Sequence, residues 1–396
     1  MAGVAAAVAA LLVLQGWLQP IWLKALIVAA VTAIAMIATE VGYYRTHLSP
    51  TTGLAPAPAR PLAPVRIAQK LVGFWLTCGA VAAAYAVLPE YAGEFYRPFK
   101  EAALWCLPGL AAASPFYITW VDRRQHDPVD AYVQLARLLV GTRPASWTPL
   151  AQHARGWLVK AFFLPLMFVY LAGGLGDIWS IGILPIDRFD LLFPHVITFL
   201  YLIDVLIAVL GYGLTLRALD TQVRSVEPTT VGWAICIVCY PPFWSGVLAP
   251  YLAYERDGLD WTGVFAGSPV LYGAWGLAII ALIIVYAWAT VSFGLRFSNL
   301  TNRGIITNGP YRWVKHPAYV CKCLSFWMIA MPFIAGGGSL VAIQSCVLLA
   351  AGNLIYVLRA RTEEHHLMQD PVYRDYAAFI AEYGLVARLR RALLPH

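Results

Sequence analysis

The chain has 396 residues, of which 60% are hydrophobic and only 12% charged, and its formal net charge is +7. Soluble domains carry roughly 25% charged residues, so this composition excludes a soluble globular protein and predicts an all-α, polytopic integral membrane protein. The excess of base reads as loop charge bias plus attraction to anionic lipid headgroups, and no nucleic-acid surface is read from it.

In chain order, Val4–Leu18 is apolar but short and is cut off by Gln19 and Pro20, which suits either a tenth span or an interfacial segment. No base precedes it and no convincing cleavage site follows, so it is expected to be retained and not removed as a signal peptide. Runs long enough to span as helix then recur at Ile21–Thr39, Leu71–Leu88, Ala102–Trp120, Trp157–Leu175, Leu191–Leu214, Val231–Tyr254, Val270–Leu295, Tyr319–Ala335 and Ser339–Leu358. That predicts about nine spans. Between them, Ser49–Arg66 contains "APAPARPLAP", lacks periodicity and reads as an extended linker. Pro128–Val140 carries Val129, Tyr132, Val133, Leu135, Ala136 and Leu139 at helical spacing. This suits a short amphipathic helix lying on the bilayer with Asp127 as its cap, and a plain connecting loop fits equally well.

Lys and Arg favour the cytoplasmic face of a membrane. Counting nine spans, one set of loops holds Arg45, Arg60, Arg66, Arg123, Arg124, Arg137, Arg143, Arg155, Arg217, Arg224, Arg296, Arg303, Arg312 and Lys315. The opposite set is acidic, with Glu90, Glu94, Glu101, Asp177, Asp187, Asp190, Glu255, Asp257 and Asp260. The segment "GPYRWVKHP" and the C-terminus are therefore expected on the cytoplasmic side.

Asp204 sits inside "FLYLIDVLIAVLG". An acid at that depth is costly, so it faces either a substrate or a hydrogen-bonding neighbour helix, and both readings stand. Cys236 and Cys239 read as small packing side chains, as do Cys321 and Cys323, and no metal site is expected.

From Arg296 to Pro317 the chain carries four bases, Arg296, Arg303, Arg312 and Lys315, and no acid. Gly304, Gly309 and Pro310 give turn geometry, and Pro317 suits the first turn of the next helix. Free amides at that helix start, with His316 and the nearby bases, form a natural anion site. "GGGS" at 336–339 is short enough to force an antiparallel hairpin. The second helix of the hairpin runs out as "RARTEEHHL", which returns Glu363 and Glu364 to the side of the basic loop. Taken alone these acids are ordinary helix-surface charges, with Arg359 to Glu363 and Arg361 to His365 at pairing distance along the helix. Beyond them, Asp370 and Pro371 read as a cap and first-turn proline, followed by Val372, Tyr376, Phe379, Ile380 and Tyr383 at helical spacing. "RLRR", Arg388–Arg391, holds this tail to anionic lipid, as a lid or a passive anchor.

These motifs together, "GPYRWVKHPAYV", a helix hairpin and "RTEEHHLMQDPVYRDYAAF", resemble the C-terminal signature of the isoprenylcysteine carboxyl methyltransferases and the related membrane phospholipid methyltransferases. The matching positions are Gly309, Pro310, Tyr311, Arg312, Lys315, His316, Pro317, Tyr319, Glu363, Glu364, Leu367, Tyr373 and Tyr376. The resemblance covers roughly Leu295 to Tyr383. It implies an S-adenosylmethionine site and a lipid-embedded or prenyl-type acceptor entering from the bilayer. Arg312, Glu363 and Glu364 take the catalytic positions, and Tyr311, Lys315, His316, Pro317, Tyr319 and the same two glutamates the cofactor positions. Asp204, Lys322 and His365 are the acceptor-side candidates. One departure is Cys321 followed by Lys322, where the family commonly has glycine.

The implied organisation is an N-terminal helical region, 1–225, of open role and a methyltransferase-like core, 226–396. Two alternatives remain at this level: an NADPH-dependent enzyme like the membrane sterol reductases, and a non-catalytic lipid carrier on the same fold.

Overall fold

The computed structural model describes residues 1–142, 146–181, 187–255, 260–334 and 336–393. It is 75% helical with almost no strand, an all-α membrane architecture. The helices are α1 (Ala2–Leu14), α2 (Ile21–Ala38), α3 (Pro64–Val87), α4 (Arg97–Asp122), α5 (Ala131–Leu139), α6 (Thr148–Ile181), α7 (Phe189–Gly213), α8 (Thr230–Ile237), α9 (Trp261–Val264), α10 (Pro269–Phe293), α11 (Pro317–Ala330), α12 (Ser339–Leu367), α13 (Pro371–Tyr383) and α14 (Leu385–Leu393). A two-residue ribbon pairs β1 (Ser225–Val226) antiparallel with β2 (Thr301–Asn302).

Among the described residues, seven helices are long and apolar enough to cross a bilayer: α2, α3, α4, α6, α7, α10 and α12. Two of the nine expected spans differ. Val231–Tyr254 is not one helix, because α8 stops at Ile237 and the chain goes on through turns and a π-helical turn at Trp244–Leu248. Pro241 and Pro242 lack amide donors and their rings clash with a preceding helical turn, so apolar composition alone does not carry a helix past them. Tyr319–Ala335 is the 14-residue α11, about 21 Å long. Pro332 disfavours helical backbone before it, and Met331 closes α11 with a left-handed φ of 41°. The N-terminal apolar run is α1, 13 residues long.

The chain forms two compact units: Met1–Ser180 with Val205–Val226 and Leu295–Gly304, and Ile181–Asp204 with Glu227–Gly294 and Ile305–His396. In the first, α1 packs on α2, and α3 packs on both α4 and α5. Asp130, not Asp127, caps α5 by accepting from the amides of Tyr132 and Val133. Nor does α5 lie free on a surface, since Val133 and Ala136 are buried and Gly73 of α3 abuts the Tyr132 backbone. Asp122 is fully buried between Arg66, at 2.9 and 2.8 Å, and Lys70, at 3.0 Å. The segment at 49–66 is likewise docked and is no free linker. Leu54 and Thr52 are buried, and the Ala55 and Ala59 amides donate to the carbonyls of Arg124 and Arg123. Proline repetition masked these specific hydrogen bonds.

In the second unit α10 packs on α11, α11 on α12 and α12 on α8. Trp261, Ile279, Ile283 and Met331 form one core cluster, and Trp275 Nε1 ties α10 to α11 through the Met328 carbonyl at 2.9 Å. Ala289, Tyr311, Tyr373, Tyr376 and Ile380 form another, which joins α10, the turn at Gly309–Arg312 and α13.

Candidate functional site

The site grows from three local features of the second unit. A tight turn at Gly309–Arg312 starts with Gly309 at φ +57°, and a side chain there would run into Ser292 and Trp288 of α10. Pro317 opens α11 with its missing amide in the first turn, where no intrahelical bond is lost. Asp370 accepts from the Val372 amide at 2.9 Å and starts α13, again with proline at the first position. These stops and starts hold Asn308–His316 between α10 and α13. Tyr376 donates its hydroxyl to the Tyr311 carbonyl at 2.8 Å, and the Leu385 amide donates to the Trp313 carbonyl at 2.8 Å.

Against that loop stands the cytoplasm-predicted end of α12. Glu364 accepts from Lys315 Nζ at 2.6 Å on one carboxylate oxygen, and its other oxygen lies 2.9 Å from His316 Nε2. Glu363 accepts from the Tyr319 hydroxyl at 2.9 Å. The His316 ring stacks on Tyr319, with centroids 5.4 Å apart and planes 6° from parallel. Lys315, His316, Tyr319, Glu363 and Glu364 are thus one contiguous cluster, although far apart in sequence. All five are half-buried.

Other expected members behave differently. Arg312 is exposed and makes no side-chain hydrogen bond or ion pair among the described residues. Tyr311 is buried in the core cluster, edge-on to Phe293 at 5.1 Å, so its ring offers no free face to a ligand. Burial pushes its phenol pKa well up and keeps it neutral. Pro317 is buried and acts through backbone geometry. His365 is exposed. Asp204 accepts from Tyr286 at 2.8 Å and from the Thr290 hydroxyl, both on α10, which is the structural hydrogen-bonding alternative. Lys322 lies among the rings of Tyr286, Phe326 and Tyr356, its Nζ 5.9, 5.9 and 5.4 Å from their centroids. Such positions favour a cation even without a carboxylate.

The four-base loop is also divided. Arg296 and Arg303 belong to the first unit and are engaged there. Arg296 pairs with Asp220 at 2.7 Å, while Arg303 is buried and donates to the carbonyls of Thr221, Gly211 and Phe297. Burial pushes the Arg303 pKa down to about 10.

The burial of Arg359 and His366, and Glu227 altogether, escaped the sequence reading. Arg359 is buried, not on the surface, with its guanidinium 5.5 Å from the Tyr240 ring centroid and 5.4 Å from that of Tyr319. His366 is buried with Nδ1 4.0 Å from a Glu227 oxygen, and Glu227 also accepts from the Thr229 amide and hydroxyl at the start of α8. A signal existed in the spacing: Tyr356, Arg359, Glu363 and His366 fall at i, i+3, i+7 and i+10 and so share one face of α12.

Half-buried acids and bases are thus paired between the start of α11 and the end of α12, with stacked rings beside them, on a helical membrane protein. Residues 271–369 match the isoprenylcysteine carboxyl methyltransferase (ICMT) family model. Over that stretch, which includes the acid–base cluster, the chain is similar to membrane methyltransferases. No curated protein and no solved structure matches the chain.

Proposed function

We propose that the protein is an integral membrane methyltransferase dependent on S-adenosylmethionine, and that its acceptor is a lipid-embedded or prenyl-type molecule. The observation that carries the reading is the bridge from Glu364 to Lys315 and His316, lying within the stretch that matches the family. The donor set fits the cofactor. Its amino acid end is a zwitterion, and Lys315 and His316 suit the carboxylate while Glu364 suits the ammonium. Because these side chains already neutralise one another, a zwitterion inserting between them leaves the local charge balance unchanged. The Tyr319 ring and the Glu363 carboxylate beside it suit a cation.

When bound, the cofactor supplies an activated methyl group, so the chain's own residues need provide only alignment and charge balance, and no nucleophilic side chain is required. Arg312, exposed on the same loop, is left to meet an anionic group of cofactor or acceptor. Arg312 and Lys315, with no acid on the 308–316 loop, favour a cytoplasmic site. Asp204, Lys322 and His365 remain acceptor-side candidates, with Lys322 favoured by its ring-lined setting. The core would be 226–396, with 1–225 of open role.

The test is thermal stabilisation of detergent-purified protein by S-adenosylhomocysteine or by NADPH, followed by labelled methyl transfer into total membrane lipids. Stabilisation by S-adenosylhomocysteine alone, with label in lipid, is expected. Stabilisation by NADPH alone, or by neither, overturns the proposal.

A further inference from the structure

α13 and α14 follow the end of α12 after only three residues and carry a second surface beside the one that packs on the loop. The inner face of α13 buries Tyr373, Tyr376 and Ile380, while Val372, Phe379 and Tyr383, expected to share the apolar packing face, stand about half exposed. In α14, Leu385, Val386, Leu389 and Leu393 are exposed by 47, 73, 52 and 76%. At 3.6 residues per turn these four fall within about 100° of arc. Arg388, Arg390 and Arg391 occupy the remainder, all exposed, and no acid lies between Tyr383 and Leu393. Arginines in a last helical turn complement the helix dipole, which explains Arg390 and Arg391 but not the bare apolar arc beside them.

We infer that the outer face of α13 and α14 seats on an anionic bilayer surface and thereby holds the 308–316 loop in place. An apolar arc flanked by arginines is the pattern of a helix lying in the membrane interface. A chain with seven apolar helices long enough to span has that surface at hand. A second copy is disfavoured as occupant, because a two-fold contact would set the three arginines against their equivalents. The link to the loop is direct, through Tyr376 to the Tyr311 carbonyl and Leu385 to the Trp313 carbonyl. Seating the helices on lipid therefore restrains the segment bearing Lys315 and His316. Its bearing on catalysis rests on the methyltransferase reading; the lipid contact itself does not.

The experiment reconstitutes the full chain in nanodiscs of phosphatidylcholine alone or mixed with phosphatidylglycerol and reads amide hydrogen exchange. Each arginine near an anionic leaflet is worth roughly fivefold in partitioning, so three are worth on the order of a hundredfold. Exchange across 385–393 is expected to slow at least about tenfold in the mixed discs, with 308–316 following, and to recover in high salt. The variant Arg388→Glu, Arg390→Glu, Arg391→Glu should behave alike in both discs, with unchanged α10 and α12 protection reporting an intact fold. Equal exchange of the wild type in both discs overturns the inference, as does protection that survives both salt and charge reversal. Protection that instead rises with protein concentration in phosphatidylcholine indicates self-association and also overturns it. Failure of S-adenosylhomocysteine to bind would remove the catalytic consequence and leave the exchange result standing.

Discussion

Glu364→Gln removes one charge and keeps the side chain's size. In the wild type its two oxygens face Lys315 Nζ at 2.6 Å and His316 Nε2 at 2.9 Å. A glutamine has one acceptor for these two partners and turns its amide hydrogens toward the other. Hydrogen bonds to charged groups contribute about 1.5–3 kcal/mol each when well shielded. Here Lys315 and Glu364 are each roughly a third exposed, so screening reduces the expected loss to about 1–2 kcal/mol for both contacts together. Lys315→Met removes one of them from the other side. A double-mutant cycle by unfolding in detergent should therefore return a coupling of about 1 kcal/mol. The same Glu364→Gln change should weaken S-adenosylhomocysteine about ten- to a hundredfold in a direct binding assay, equivalent to 1.4–2.8 kcal/mol. Additive stability effects, within about 0.3 kcal/mol, would refute the bridge. Full affinity in both Glu364→Gln and His316→Ala would sink the site.

Gly309→Ala should cost about 2 kcal/mol or more, seen as a lowered unfolding temperature, because a left-handed φ of +57° and a Cβ driven against Ser292 and Trp288 act together. Lys70→Met should destabilise by about 3 kcal/mol, since Asp122 stays buried with only Arg66 to balance it; a loss under about 0.5 kcal/mol would contradict the network. Asp204→Asn should leave S-adenosylhomocysteine affinity unchanged. Asp204→Leu should lower stability by about 1–3 kcal/mol by stranding Tyr286 and Thr290, and a loss of cofactor affinity with Asn would place Asp204 on the cofactor side instead of the acceptor side.

The meeting of the acid doublet with the loop was legible because two short-range signals coincided. The glycine-rich connection forces a hairpin, and the position of Glu363 and Glu364 beyond the apolar run returns them to the side of Lys315 and His316. The cap and proline at Asp370 and Pro371 were equally plain, being local hydrogen-bond chemistry. Misreadings arose where one local pattern permits two burial outcomes. Arg359 and Glu363 have surface-pair spacing, yet α12 turns that stripe inward against Tyr240 and Tyr319. Val372, Phe379 and Tyr383 have helical spacing, yet Tyr373 provides the buried contact beside Tyr376 and Ile380. The four bases of one loop looked like a single cationic patch, but Asp220 and backbone carbonyls claim Arg296 and Arg303.

Composition and local sequence alone determined that this is a helical membrane protein, where most of its long helices run, and that Glu363 and Glu364 return to the side of Lys315 and His316. These follow from hydropathy over a helix length and from capping and turn preferences, which are properties of neighbouring residues. Only tertiary structure decided which charges are consumed in holding loops and which stand half-open beside stacked rings, and that Pro241 and Pro242 end an apolar run early. A side chain's partner is set by what distant segments bring within hydrogen-bond reach, and residue order does not encode that distance.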